Sequence, residues 1–429
     1  MSQASPEVSS KPSIFAPYLS ESLASHLSSA PSPIDIDSLS RTPLSRLQQT
    51  ALPNLGLIEL VSSADFTTLY DDLYVASFPR RPERENSDLI VARLAAQAAN
   101  TRTGLAPYRI VGLRDKQGKA IGAAQFSILP LPLRPRTDID TTDAYNDTLQ
   151  NGETNAAGPS SPPPAAGLVV PYLQYIYIRP SSRRQDMSEV LHTFVLAVSA
   201  ADAATLSFPT PSNLPSPSSS VLVPKSNHDV ISASGSSGLN GGSGSSGSSR
   251  SSNAGGGAVT TYVPFTLFET EPPDHGVDAP SRSYALERSK IHTSTGGVAV
   301  VLLRRPPGSD PSSSSSGRPT AGAEEGEEGE ERGGERRQRQ ILSAHVQPGL
   351  EPDDPPLTLV WVIRPSPNPG ISYDIRRIGK DLVAAYYQSL RDEGFPESNI
   401  ALAESMVEER CRDADFHLMP LGEVSDFTT

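Results

Sequence analysis

The stretch Tyr175–Leu191, YIYIRPSSRRQDMSEVL, combines residue types that together suit an anionic ligand. Alternating large residues predict a strand, a basic corner follows, and an apolar helical repeat begins near Met187. A helix N-terminus binds anions because its first amides have no partner within the helix. Phosphate-binding turns usually contain glycine, and this one has none. Asp186 and Glu189 instead fit a capping box, in which Asp186 would occupy the same amides.

Two further residues have side chains suited to proton transfer. Glu269 ends a predicted strand in LFETEPP, where a carboxylate can accept a proton from an amine. His292 ends a predicted helix in RSKIHTSTGG, and an imidazole with an ordinary pKa near 6.5 can donate one. Each also has a structural interpretation, as a surface residue at a strand terminus or as a partner of the helix dipole. Glu271 is a weaker alternative base, and Gln125 is either a pocket residue or a plain strand residue.

The elements that would position these residues follow from hydrophobic periodicity. The predicted order is β-α-α-β-β-β-α-β-α-β-β, followed by an extra C-terminal helix. It includes a hairpin around the turn DKQG and a final amphipathic helix that Gly394 and Pro396 stop. Hairpins mixed with crossover helices predict an α/β fold with a mixed, mostly antiparallel sheet flanked by helices.

Composition limits how much of the chain can fold. Of 429 residues only 36% are hydrophobic, whereas 41 are proline and 32 are glycine. We therefore expect one folded domain with disordered segments. The predicted organisation is a disordered segment 1–45 with a local helix near Leu19–Leu27, a domain 46–403, insertions at 131–166, 206–258 and 306–340, and a weakly ordered tail 404–429.

Charge and cysteine content argue against several classes of partner. A net charge of −13 disfavours general binding to nucleic acid or to anionic membranes. The one cysteine, Cys411, permits no disulfide within the chain, and the histidines lack metal-ligand spacing. The sequence shows no signal peptide and no apolar run long enough to span a membrane. We expect an intracellular protein, cytoplasmic or nuclear, without a metal site.

The element order and the basic corner resemble the GNAT superfamily of N-acetyltransferases over about Leu55–Ile363, without the insertions. In that family the corresponding corner reads Gln/Arg-x-x-Gly-x-Gly/Ala, and its amides hold the pyrophosphate of acetyl-CoA. Arg183 matches the first position, whereas Asp186 and Ser188 replace the glycines. The resemblance implies the following cofactor-binding residues: Tyr175, Ile176, Tyr177, Ile178, Arg183, Arg184, Gln185, Asp186, Met187 and Ser188.

The resemblance also implies a catalytic arrangement. It requires a V-shaped opening between strands Tyr172–Ile178 and Thr261–Glu269, in which the acyl thioester would lie. Glu269 would be the base, and His292 would stand where many members have the tyrosine that protonates the thiolate. The predicted activity is transfer of an acetyl group from acetyl-CoA to an unidentified amine.

Two alternatives remain open. The domain can be a non-catalytic GNAT-like binding or scaffold protein, with the insertions contacting protein partners, because Asp186 and His292 both depart from the family pattern. An unrelated scaffold with a mixed sheet is the other.

Overall fold

The structure, a computed structural model, describes residues 12–80, 84–102, 104–132, 166–206, 260–276, 278–304, 340–424 and 427. Most of each predicted insertion lies outside these ranges. Apart from Thr260, all described residues belong to one of the chain's two units, which comprises Met1–Leu133, Ala166–Ser207 and Thr261–Thr429.

Ten strands form one sheet, which is mostly antiparallel and flanked by helices, as predicted. The strands are β1 Leu55–Leu60, β2 Tyr108–Asp115, β3 Ala120–Pro132, β4 Ala166–Ile178, β5 Thr260–Tyr262, β6 Phe265–Thr270, β7 Val298–Arg304, β8 Ile341–Ser343, β9 Val360–Pro365 and β10 Ala414–Pro420. Their order is β1-β2-β3-β4-β6-β9-β7-β10, with β5 paired to β4 and β8 to β7. In this order β4 and β6 are parallel, and the other neighbours are antiparallel.

The α-helices of the described residues are α1 Glu21–Ser28, α2 Leu44–Thr50, α3 Ser63–Asp65, α4 Asp71–Ser77, α5 Ser87–Ala98, α6 Met187–Ala203, α7 Ala279–Ser294, α8 Ile375–Glu393 and α9 Glu397–Arg410. A π-helical turn, Phe66–Tyr70, joins α3 to α4. Gly394 ends α8 with φ of 89°, a left-handed conformation that glycine adopts without a Cβ clash. No helix in these ranges is long and apolar enough to cross a membrane.

The two faces of the sheet carry different helices. On the first face, Trp361 of β9 packs against Tyr386 of α8 with ring centroids 5.2 Å apart. Successive strand residues point to opposite faces, so Arg364 of β9 lies on the second face, where it pairs with Glu189 of α6. Phe268 of β6 also lies there and contacts His292 of α7. Residues on opposite faces of the sheet are therefore separated from each other by the strands.

Described residues near both ends of the chain, 12–45 and 404–424, are more ordered than the sequence indicates. Within the segment expected to be disordered, Phe15 is fully buried against Phe194 of α6, and α1 buries Leu23. At the other end β10 pairs with β7 along its whole length, and Phe416 packs against α8. In both cases a few apolar residues within a polar segment are buried against parts of the chain distant in sequence, and this burial stabilises the segment. The average composition of the segment does not reveal it.

Candidate functional site

The parallel pair β4–β6 opens soon after it forms. Its described pairing covers two residues of each strand and ends at Leu173 and Phe268. Beyond that point β4 stays paired with β3 as far as Ile178, and β6 stays paired with β9 as far as Thr270. The two strands thus lose their mutual pairing while each keeps its outer neighbour, and we interpret this loss as a wedge between them. The predicted cofactor residues Tyr175–Ile178 lie on β4 beyond this point.

A bulge in β4 stands at the mouth of the wedge. Leu173 and Tyr175 pair with successive residues of β3, so Gln174 between them has no partner there. Bulges re-aim side chains and are common beside active sites. Gln174 Nε2 donates to Glu393 of α8 at 2.6 Å, and Tyr175 Oη accepts the amide of Glu85 at 3.0 Å. The bulge therefore connects β4 to polar groups on the first face.

Those polar groups form a buried ion network. Arg93 of α5 is 5% exposed, donates to both carboxylate oxygens of Glu85, and lies 4.0 Å from Glu393. Ser127 Oγ donates to Glu393 at 2.6 Å. Because each carboxylate has donors, we interpret the network as the support that fixes α5 and α8 on the sheet.

The corner before α6 differs from the predicted capping box. Asp186 precedes the helix in a left-handed conformation, with φ of 56°, and its side chain caps no amide. Its carboxylate instead accepts two hydrogen bonds from Arg46 of α2, at 2.8 and 2.9 Å, and one from Thr50 Oγ1 at 2.7 Å. The Glu189 side chain does not accept the amide of Asp186, as a capping box requires. It accepts instead from the amide of Arg41 and the guanidinium of Arg364. The capping-box interpretation was wrong, and the reason is a partner distant in sequence.

Because the Asp186 carboxylate contacts Arg46 and Thr50, the main-chain amides of the corner are left without that carboxylate as an acceptor. Within the described residues no acceptor receives a hydrogen bond from the amides of Arg184, Gln185, Asp186, Met187 or Ser188. Arg184 is also left-handed, with φ of 62°. Left-handed residues in a turn can make neighbouring amides converge on an anion. The left-handed conformation at Asp186 is the one that glycine adopts most easily, at the position where the motif has glycine.

The side chains of the corner differ in their contacts. Arg183 is exposed and donates to the carbonyl of Ile178 at 3.2 Å. The exposed guanidinium of Arg184 contacts no acceptor in the described part of the chain. Gln185 accepts from Asn54 at 2.8 Å. Two exposed arginines thus flank the open amides.

Glu269 lies just past the last β4–β6 pair, at the point where the wedge begins. Its side chain is 11% exposed and accepts a hydrogen bond from Tyr386 Oη at 2.8 Å. Burial raises the pKa of Glu269, but His345, Tyr386 and Tyr172 outweigh it, and the pKa lies below its ordinary value. Glu269 is therefore an ionised carboxylate, with Tyr386 and His345 both placed at Oε1.

His345 is the residue of this site that sequence reasoning missed. Its Nε2 lies 2.8 Å from Glu269 Oε1, and its ring stacks on Trp361 with centroids 4.6 Å apart and an 11° angle between planes. The histidine is completely buried. The only local signal is a histidine within the apolar stretch Leu342–Val346, which indicates burial and not a partner.

His292 lies across the sheet from Glu269. Its ring contacts Phe268 at 4.7 Å on the second face, and consecutive residues Phe268 and Glu269 point to opposite faces. Burial, and to a smaller extent Arg288 and Arg364, lower the pKa of His292 to about 4. About one molecule in a thousand then carries the imidazolium at pH 7. The neutral ring is the form available for chemistry.

The two weaker candidates have structural partners. Gln125 is fully buried and is held by the hydroxyls of Tyr108 and Tyr177, each 3.0 Å away. Glu271 pairs with Arg288 at 2.9 Å. Neither side chain is presented to the wedge as a free group.

No group of three metal-ligating side chains occurs among the residues that the structure describes. Comparisons of the chain with protein-family models, with curated protein sequences and with solved structures gave no match.

Proposed function

We propose that the chain is a GNAT-like N-acetyltransferase that transfers an acetyl group from acetyl-CoA to an amine. The observation that carries the proposal is the wedge between β4 and β6. It has an anion-binding corner on one side and an ionised carboxylate, Glu269, at its apex. A thioester held there would have a phosphate anchor and a proton acceptor within one opening.

The donor would be held mainly by main-chain groups. The open amides of residues 184–188 and the guanidinium of Arg184 suit a pyrophosphate. Past Leu173 the side of β4 that faces the wedge has no described pairing with β6, so its backbone can bind an extended arm along Tyr175–Ile178. The carboxylate of Asp186, the main objection to phosphate here, is paired with Arg46.

In the reaction, the amine nitrogen attacks the thioester carbonyl, a carbon–nitrogen bond forms, the carbon–sulphur bond breaks to release the thiolate of coenzyme A, and the amine loses a proton that balances the one the thiolate takes up. Glu269 would take that proton, directly or through water, since its pKa keeps it unprotonated at neutral pH. His292 on the opposite face would act as a neutral hydrogen-bond donor near the sulphur rather than as an imidazolium acid.

A non-catalytic GNAT-like binding protein is the second candidate. It is favoured by residues 37–46, which cross the second face at the start of α6, where Arg41 and Arg46 hold Glu189 and Asp186. In this candidate the corner would serve as an internal anchor for the N-terminal segment.

Isothermal titration of the full chain with acetyl-CoA tests the proposal. We expect binding that Arg184→Ala weakens and that Arg412→Ala, an exposed arginine after α9, leaves unchanged. Absence of heat and of a thermal shift at millimolar acetyl-CoA would refute it. Binding without release of free thiol across a panel of amines would favour the non-catalytic candidate.

A further inference from the structure

Residues Asp37–Arg46, here called the strap, cross the start of α6 without burying a side chain. Ile36 before the strap is 7% exposed and Leu47 after it is fully buried, whereas no residue between them is buried. Segments held by polar contacts alone open at lower free energy than segments anchored by apolar burial. The strap therefore has two fixed ends and a weakly held middle.

Arg41 is the central contact of the strap. Its amide donates to Glu189 Oε1 at 2.9 Å, and its guanidinium donates to the carbonyls of Thr295, at 3.2 Å, and Pro365. These acceptors belong to α6, to the loop between α7 and β7, and to the end of β9. The main chain and side chain of one residue thus contact three segments that border the second face beside the wedge.

Several buried polar atoms near the strap have no partner. His192 of α6 is 3% exposed, and neither ring nitrogen makes a hydrogen bond within the described residues. The same holds for Thr266 Oγ1 of β6 and for Arg364 Nε of β9, two residues paired across the strands. Buried polar atoms normally have partners, and each exception calls for a missing water, ion or ligand group.

Charge adds to this imbalance. Burial and the nearby Arg364 lower the pKa of Arg41, and Glu189 and Tyr373 oppose the shift only in part. Glu189 accepts one hydrogen bond from the Arg364 guanidinium and one from the Arg41 main-chain amide, whereas the Arg41 guanidinium contacts only carbonyl oxygens. An anionic group entering here would meet excess positive charge and unused donors.

We infer that the strap is a hinged cover over a polar cleft between α6, β6 and β9, and that a phosphate-bearing ligand binds this cleft when the strap opens. Opening would expose His192, Thr266 and Arg364. The identity of the ligand rests on the proposed function, whereas the opening of the strap does not.

Hydrogen–deuterium exchange of the full chain, read by mass spectrometry, tests both parts with coenzyme A as the probe. We expect Arg41→Ala to speed exchange at least about tenfold in peptides covering 37–46 and to leave β2 and β3 at the wild-type rate. Saturating coenzyme A should speed exchange in the same peptides of the wild type. Arg41→Ala should also bind coenzyme A several-fold more tightly, because less binding energy is spent on opening.

The outcomes separate the two parts. Wild-type exchange in the strap of Arg41→Ala would overturn the cover, and so would faster exchange that spreads through α1 and β1. If Arg41→Ala fails to fold, Arg46→Ala releases the other end of the strap and must speed hydrogen exchange in the peptides covering 37–46. If the strap opens in the variant but coenzyme A changes exchange in neither protein, the ligand assigned to the cleft is wrong and the cover stands. Titration with acetyl-CoA then decides the proposed function separately, because the corner at residues 184–188 can bind without opening of the strap.

Discussion

Replacing Asp186 by glycine tests whether the corner is a phosphate site. Glycine adopts the left-handed conformation without a Cβ and removes the carboxylate from among the open amides. We expect Asp186→Gly to bind acetyl-CoA more tightly than the wild type. The opposite effect is expected if the corner only anchors the N-terminal segment, because the tether to Arg46 and Thr50 would be lost for no gain.

The magnitude follows from the contacts. A carboxylate about 5 Å from a phosphate repels it by about 1 kcal/mol in water and by about 3 kcal/mol at an effective dielectric constant near 20. Removing it should improve affinity by about 5- to 140-fold. The lost pair with Arg46, whose side chain is 64% exposed, contributes less than about 1 kcal/mol, and the Thr50 hydrogen bond about 1 kcal/mol. Relief of the left-handed strain offsets part of this, so stability should fall by about 1 kcal/mol.

The assay is titration calorimetry with acetyl-CoA, beside thermal unfolding of each variant. Asp186→Ala is the matched control, since it removes the same charge but keeps a Cβ in the left-handed backbone and should be less stable than the glycine variant. A folded Asp186→Gly protein with unchanged or weaker affinity would refute the reasoning.

Three further predictions concern buried charge. The folded-state pKa of Glu269 is depressed, so its contribution to stability is present above about pH 4.5 and is lost as pH falls through the folded value. The difference in free energy of urea unfolding between wild type and Glu269→Gln should therefore shrink below pH 4.5. For His292 the cause is burial of the imidazole, which lowers its pKa from 6.5 in the unfolded chain to about 4 in the folded protein. Because the unfolded chain therefore binds the proton first as pH falls, the free energy of unfolding should drop by up to about 3 kcal/mol between pH 6.5 and 4. Urea unfolding of His292→Gln should lack that slope; an unchanged slope would assign it elsewhere. Arg93→Ala should cost about 3–5 kcal/mol by denaturant unfolding, because it leaves Glu85 and Glu393 buried without their cation, whereas Arg412→Ala should cost almost nothing.

The sheet could be predicted because its signals are local. Alternation and turn residues located β2 and β3, and apolar spacing located α6 and α8. The prediction joined β5 and β6 into one strand and omitted β8, α9 and β10, whose patterns are short or weak. Through the family resemblance the sequence also predicted Glu269 beside an opening between strands, and its role there stays a prediction.

What could not be predicted depends on contacts between distant residues. Arg46 and Asp186 are 140 residues apart, and their pairing reverses the role assigned to Asp186 from its neighbours alone. The contact of His345 with Glu269 is of the same kind, because nothing around His345 in the chain names its partner. Side-chain chemistry was visible in the sequence, whereas the pairing of those side chains was not.

The stack of His345 on Trp361 has a spectroscopic consequence. Trp361 is the only tryptophan among 429 residues, and it lies fully buried one residue away from the Glu269 network. Its emission therefore reports on one place in the molecule without background from other indoles. A ligand that enters the wedge and shifts Glu269 or His345 can be followed by fluorescence in the unlabelled protein, before any acceptor amine is known.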